Sequence, residues 1–207
     1  MIIDQGPLRE YKNLVFDVGG VLLGYRQREM MIEDHKMEPE EADRFLEEVF
    51  SNSLWDEFDL ENIPFEEVVG MYIKLFPKWE EHIRWMMSNT HLMPVKRPKV
   101  WDEVKRLKDK GYKIYLLSNY SSVLFAKHTK GASFLDSIDG AVVSYQIHRM
   151  KPEAVIYQTL FEKYALRPGD CLFFDDRLEN VVASSDLGMD SFRVISEESL
   201  LAILHRL

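Results

Sequence analysis

The sequence predicts an α/β protein: a doubly wound parallel sheet with a helical cap inserted after its first strand. Two observations carry this. From residue 95 onward, short apolar runs alternate with amphipathic segments, the pattern of strands joined by crossover helices. Between residues 24 and 94 the chain instead reads as successive helices with no convincing buried strand. The expected division is a core of 1–23 and 95–207 and a cap of 24–94, and 207 residues are enough for both.

Taken in order, residues 1–13 are a polar lead-in. Leu14-Val15-Phe16 is apolar and runs into Asp17, where Gly19 and Gly20 allow a tight turn. Over 40–50, Phe45, Leu46 and Val49 recur at helical spacing. Pro64 stands at a helix start, followed by Phe65, Val68, Val69, Tyr72, Ile73 and Phe76, and Trp79, Ile83, Met86 and Met87 continue the pattern. Pro98 opens a helix with Trp101, Val104 and Leu107 on one face, closed at Lys110-Gly111. Strands are expected over 113–117, 141–144, 172–174 and 191–195. Helices are expected over 121–130, 153–164 and 178–187, and a terminal helix follows Ser196 as its cap.

The formal net charge of −9 argues against non-specific binding to nucleic acid or an anionic membrane. Cys171 is the only cysteine, which excludes an internal disulfide and fits a reducing, cytoplasmic setting. Its apolar run makes it a packed residue. No secretory signal and no bilayer-spanning apolar run is legible. Oligomeric state is not.

Four polar sites fall at the ends of expected elements. Singly, each has an ordinary reading: Asp17 as a turn residue, Ser118-Asn119 as a helix cap, Lys151-Pro152 as a solvated lysine before a helix. Asp175-Asp176 is the exception, because adjacent carboxylates after an apolar strand repel and call for a cation or a proton. In order and spacing, Asp17, Ser118, Lys151 and Asp175-Asp176 resemble motifs one to four of the haloacid dehalogenase superfamily, across about residues 14–194. Arg149-Met-Lys151-Pro-Glu153 and Phe173-Phe-Asp-Asp-Arg-Leu-Glu-Asn180 are similar to family sequence too. In texture the chain most resembles the glucose-1-phosphate phosphatase-like and epoxide-hydrolase N-terminal-domain-like group.

That resemblance implies a Rossmannoid core and a Mg2+-dependent phosphatase acting on a small phosphorylated metabolite, a sugar phosphate being the expectation. Asp17 would be the nucleophile and form an aspartyl-phosphate. Mg2+ would take Asp17, the carbonyl of Gly19, Asp176 directly and Asp175 through water. Ser118 and the N–H of Asn119, at a helix start, would hold phosphoryl oxygens, and Lys151 would offset charge. Asn180 would hydrogen-bond the acidic cluster or lie on a helix surface.

Position 19 departs from the usual pattern, which has a second aspartate there as acid and base, a role worth about 10²–10⁴ in rate. Three readings follow: an acid from the cap, a leaving group that needs little help, or binding without turnover. Asp56, Glu57, Asp59 and Glu61 are the nearest cap acids, though such a charge run is expected to be solvated. Metal-free dehalogenation is the rival enzymatic reading, and a non-catalytic phosphate-ester-binding protein the rival outside enzymes. The six histidines lack metal-ligand spacing. Trp85, Met86, Met87 and Met93 are expected to pack between helices, and Arg26 and Arg28 to be exposed.

Overall fold

A computed structural model describes residues 1–3, 8–50 and 53–207, so residues 4–7 of the lead-in lie outside the described residues. Its strands are β1 (Ile2–Ile3), β2 (Asn13–Phe16), β3 (Leu23–Tyr25), β4 (Pro94–Lys96), β5 (Lys113–Ser118), β6 (Gly140–Val143), β7 (Cys171–Asp175) and β8 (Asp190–Arg193). Six form one parallel sheet in the order β1-β8-β7-β2-β5-β6, while β3 and β4 pair antiparallel. The helices used below are α1 (Pro39–Phe50), α2 (Leu54–Leu60), α3 (Phe65–Leu75), α4 (Glu80–Ser88), α5 (Pro98–Asp109), α6 (Ser122–His128), α7 (Ala154–Lys163), α8 (Leu178–Asp186) and α9 (Glu197–Leu204).

Alternation along β2 explains the double winding. Leu14 and Phe16 face the Val100, Trp101, Val104 and Leu107 stripe of α5 and the Leu200, Ile203 and Leu204 stripe of α9. Val15 points the other way, with Leu117 and Phe173, onto Ile156, Tyr157 and Leu160 of α7. Both faces are therefore covered, and the strands read as nearly unbroken apolar runs. Ser196 caps α9 as expected, its Oγ accepting from the Ser199 N–H at 3.1 Å.

The inserted helices bury an apolar cluster of their own. Phe45 and Val49 of α1, Val68 and Tyr72 of α3, and Ile83, Met86 and Met87 of α4 meet in it, with Met93 alongside. Trp85 packs at the edge of this cluster and also stacks on His35, their ring centroids 4.2 Å apart.

Three elements differ from the expectation. The lead-in supplies a sheet strand, β1, because two residues beside β8 suffice to pair while giving almost no periodic signal. The helical stretch is bracketed by the β3–β4 ribbon, which sits where the chain leaves and re-enters the sheet. The acids of 56–61 are not all solvated: α2 runs to Leu60, with Glu61 at its end, and buries Phe58 and Asp59. None of the described helices is long and apolar enough to cross a membrane.

Candidate active site

The central strand positions the chemistry. β2 lies between β5 and β7 with Phe16 level with Leu116 and with Phe174, so Asp17, Ser118 and Asp175 emerge together at the carboxyl edge. Such edges are where open α/β sheets hold ligands. The Asp17 N–H still donates to the Phe174 carbonyl at 2.9 Å, which ties the first residue past β2 to the sheet.

Asp17 is buried, and its two oxygens have different partners. Oδ1 accepts from Ser118 Oγ at 2.5 Å and from the Val18 N–H at 2.7 Å. Oδ2 lies 2.9 Å from Lys151 Nζ. That ammonium is 1% exposed and also donates to Asp175 Oδ2 at 2.7 Å and the Leu117 carbonyl at 2.9 Å, so its three protons are all placed. Burial opposes the charge on Lys151, but Asp17 and Asp175 outweigh it and hold the amine above its ordinary range. Burial likewise pushes the Asp17 carboxyl up to about 7, with Asp175 and Asp176 adding to the shift against the pull of Lys151.

The paired acids are not equivalent. Asp175 is fully buried and saturated by Lys151, by the Arg177 N–H at 2.8 Å, and by Asn180 Nδ2 at 3.0 and 3.1 Å to its two oxygens. Asp176 is half-buried beside the glycine turn. Gly20 has φ +71, and a Cβ there would run into the Asp176 carboxylate, so both conformation and space demand glycine. Burial and the neighbouring Asp175 raise the pKa of Asp176. Oxygens of Asp17, Asp175 and Asp176 come within 4.8 Å of one another. Three carboxylates against one buried ammonium, with hard oxygen donors converging, is a set that suits a divalent cation such as Mg2+.

A family model for haloacid dehalogenase-like hydrolases matches residues 11–188, most of the chain and all of these residues. The chain belongs to the haloacid dehalogenase-like hydrolases. It is 24% identical over 191 residues to D-ribitol-5-phosphate phosphatase from Bacteroides thetaiotaomicron, covering 88% of this chain and 91% of that protein. It is 24% identical over 182 residues to sesquiterpene phosphatase astK from Aspergillus oryzae, covering 86% and 87%. In fold it is similar to a haloacid dehalogenase family enzyme from Bacteroides thetaiotaomicron crystallised with magnesium and inorganic phosphate, with TM-score 0.68, 23% identity, and coverage of 88% of this chain and 93% of that one.

In this hydrolase Asp17, Gly19, Asn119, Lys151 and Asp176 of the expected site residues line one cleft of about 600 Å³, while Ser118 and Asp175 are fully buried and reach it through their bonds to Asp17 and Lys151. Two expectations need adjustment. Asn119 does not open a helix: α6 begins at Ser122 under a cap from Ser121, whose Oγ accepts from the Leu124 N–H. The Asn119 side chain is instead bonded both ways to the backbone of Lys151, Nδ2 donating to its carbonyl at 2.9 Å and Oδ1 accepting from its N–H at 2.8 Å. Lys151 is not solvated, and α7 starts only at Ala154. Arg26 pairs with Glu33 and Asp34, and Arg28 with Asp43, so both are engaged outside the cleft.

Tyr25, Tyr120, His128 and Arg177 also line the cleft, and sequence reasoning missed them. Tyr25 stands over Gly19: a Cβ at position 19 would lie 2.6 Å from its hydroxyl and 2.9 Å from its Cε2. The Thr90 carbonyl is an acceptor, so His128 Nε2 donates to it at 2.9 Å, and Nδ1 accepts from the Tyr120 hydroxyl at 3.0 Å. Tyr120 is hydrogen-bonded in turn to the Tyr25 hydroxyl. Burial lowers the His128 pKa to about 4, which keeps this ring neutral. One signal was available for Ser144, which ties this wall together: like Asp17 and Ser118, it is the polar residue ending an apolar strand.

Proposed function

We propose that the protein is a Mg2+-dependent phosphatase that hydrolyses a small phosphorylated metabolite, with a sugar or sugar-alcohol phosphate as its substrate class. The observation that carries this is Asp17: a carboxylate at the end of the central strand, held by Ser118 and Lys151, within ligand reach of two further acids. The curated relatives with phosphatase names support the chemistry, and the one named for D-ribitol-5-phosphate supports the substrate class.

The Asp17 carboxylate attacks phosphorus, the bond to the leaving oxygen breaks, and the aspartyl-phosphate is then cleaved by water. Ser118, released from Asp17 as substrate enters, donates to a phosphoryl oxygen together with the Asn119 N–H. Lys151 offsets negative charge between nucleophile and phosphate. Asp17, Asp176 and the Gly19 carbonyl would hold Mg2+ directly, since no other described residue donates a hydrogen bond to the Asp176 carboxylate, whereas Asp175 is saturated and would act through water. Bound Mg2+ would supply positive charge at the phosphoryl oxygens. The helices between β3 and β4 form a cap over the cleft, contributing Phe50, Trp55 and Asp59 to its wall.

Phosphate release from a panel of sugar and sugar-alcohol phosphates, with Mg2+ and with EDTA, tests this beside a halide-release assay on 2-haloacids. Expected are metal-dependent phosphate release, no halide, and no turnover by Asp17→Asn, which keeps the side-chain volume. Undiminished turnover by that variant would remove the nucleophile assignment, and halide release would favour the dehalogenase reading.

A further inference from the structure

Gly19 leaves the proposed reaction without its usual proton donor, so a donor must come from elsewhere in the cleft. Tyr25 fills the vacated space, but its proton is committed. With Thr90 accepting from His128, and His128 accepting from Tyr120, the Tyr120 oxygen receives the Tyr25 hydroxyl proton, which therefore points away from Asp17.

Asp59 differs from every other acid on the cleft wall. It is 8% exposed, and no hydrogen bond or ion pair engages its carboxyl among the described residues. A buried acid without a donor or cation beside it is far more comfortable neutral. Its stretch of chain is clamped to the opposite wall at three consecutive residues, two through backbone carbonyls and the third through a side chain. Ser144 Oγ donates to the Asp59 carbonyl, His148 Nδ1 donates to the Leu60 carbonyl at 2.8 Å, and Ser122 Oγ donates to Glu61 Oε1 at 2.7 Å. Ser144 Oγ also accepts from the Tyr120 N–H at 2.9 Å, so the clamp reaches the loop that follows Ser118. An exposed acidic run needs no such fixing; an acid that must meet a substrate does.

Resting on the phosphatase reading, we propose that Asp59 is the general acid and base of this enzyme, replacing from the cap the aspartate that Gly19 lacks. In the first half-reaction its carboxyl proton passes to the leaving oxygen as the P–O bond breaks and the bond from Asp17 to phosphorus forms. In the second, the Asp59 carboxylate takes a proton from the water that attacks phosphorus, the bond to Asp17 breaks, and phosphate departs with Asp59 again protonated. The charged groups facing Asp59 are Asp56 on its own helix, Asp17 beyond β2, Lys151 before α7 and Arg177 after β7. Burial dominates, the two acids add to it, and the two cations oppose it, leaving the carboxyl at about 8.

The test compares leaving groups in Asp59→Asn, with Asp59→Glu as the conservative variant. For Asp59→Asn, kcat/KM on an alkyl phosphate falls about 10²–10⁴-fold. With p-nitrophenyl phosphate, whose leaving group needs no proton, the stoichiometric burst of nitrophenolate survives but later turnover is slow. Asp59→Glu recovers part of the alkyl phosphate rate. Independently of turnover, a carboxyl-carbon NMR titration of the metal-free protein finds Asp59 still protonated at pH 7, its signal assigned by its loss in Asp59→Asn. Equal loss of kcat/KM on both substrates, no loss on either, or an ionised Asp59 at pH 7 would overturn the proposal. A wild type that hydrolyses no phosphate ester in Mg2+ would overturn the phosphatase reading, and the proton-transfer role with it; NMR would then still report the proton.

Discussion

At position 19 the absence of a side chain is occupied space. Tyr25 is held over Gly19 through Tyr120 and His128, and a built Cβ falls 2.6 Å from its hydroxyl. Restoring the usual aspartate therefore collides with a ring that is itself fixed. Gly19→Asp is expected to lose about 1–3 kcal/mol in urea unfolding, the usual cost of forcing extra atoms into a packed site. Adding Tyr25→Ala should recover stability relative to the single variant, since the obstructing ring is then gone. With Asp59 already supplying a proton, neither variant should gain much activity on alkyl phosphates.

Among the elements, the strand ends matter through the charges they bring together. Lys151 serves Asp17 and Asp175 at once, and the reciprocal bonds from Asn119 hold its backbone in place. Lys151→Met leaves both carboxylates buried without their cation. Removing one partner of such a network costs about 3–5 kcal/mol. The expected result is a lower urea midpoint by that amount, measured in EDTA, and loss of turnover. Adding Asp175→Asn should restore part of the stability, because one uncompensated charge is then removed, while turnover stays lost.

For the whole molecule, the helices between the two ribbon strands complete the cleft, and the pH dependence of stability reports that closure. Folded Asp59 keeps its proton up to about 8, whereas the unfolded chain releases it near the ordinary aspartate value of 3.8. Folding thus takes up a proton between these limits. The contribution is present in full below about pH 4 and is lost as pH rises through 8. Urea midpoints of the metal-free protein should fall across that window, and Asp59→Asn, which cannot titrate, should show a shallower fall. Identical slopes would mean that water reaches Asp59 in the closed structure.

What the sequence determined by itself follows from short-range regularities. Apolar alternation and helical spacing set the doubly wound sheet and the helical stretch, and the positions of Asp17, Ser118 and Asp175-Asp176 at their strand ends, with Lys151 before its helix, set the carboxyl edge of the cleft. Elements whose pattern is shorter than a period escaped, as with β1 and the β3–β4 ribbon. Only tertiary structure decided the rest. That Asn119 braces Lys151 depends on two loops meeting. That Tyr25 covers Gly19 depends on where the ribbon folds back. Asp59 shows the difference most clearly. In sequence it stands in a run of acids that reads as solvated surface, and only the docking of α2 against Ser144, His148 and Ser122 removes water from it. Burial is set by residues distant in the chain, and burial is what turns an ordinary carboxylate into a proton donor.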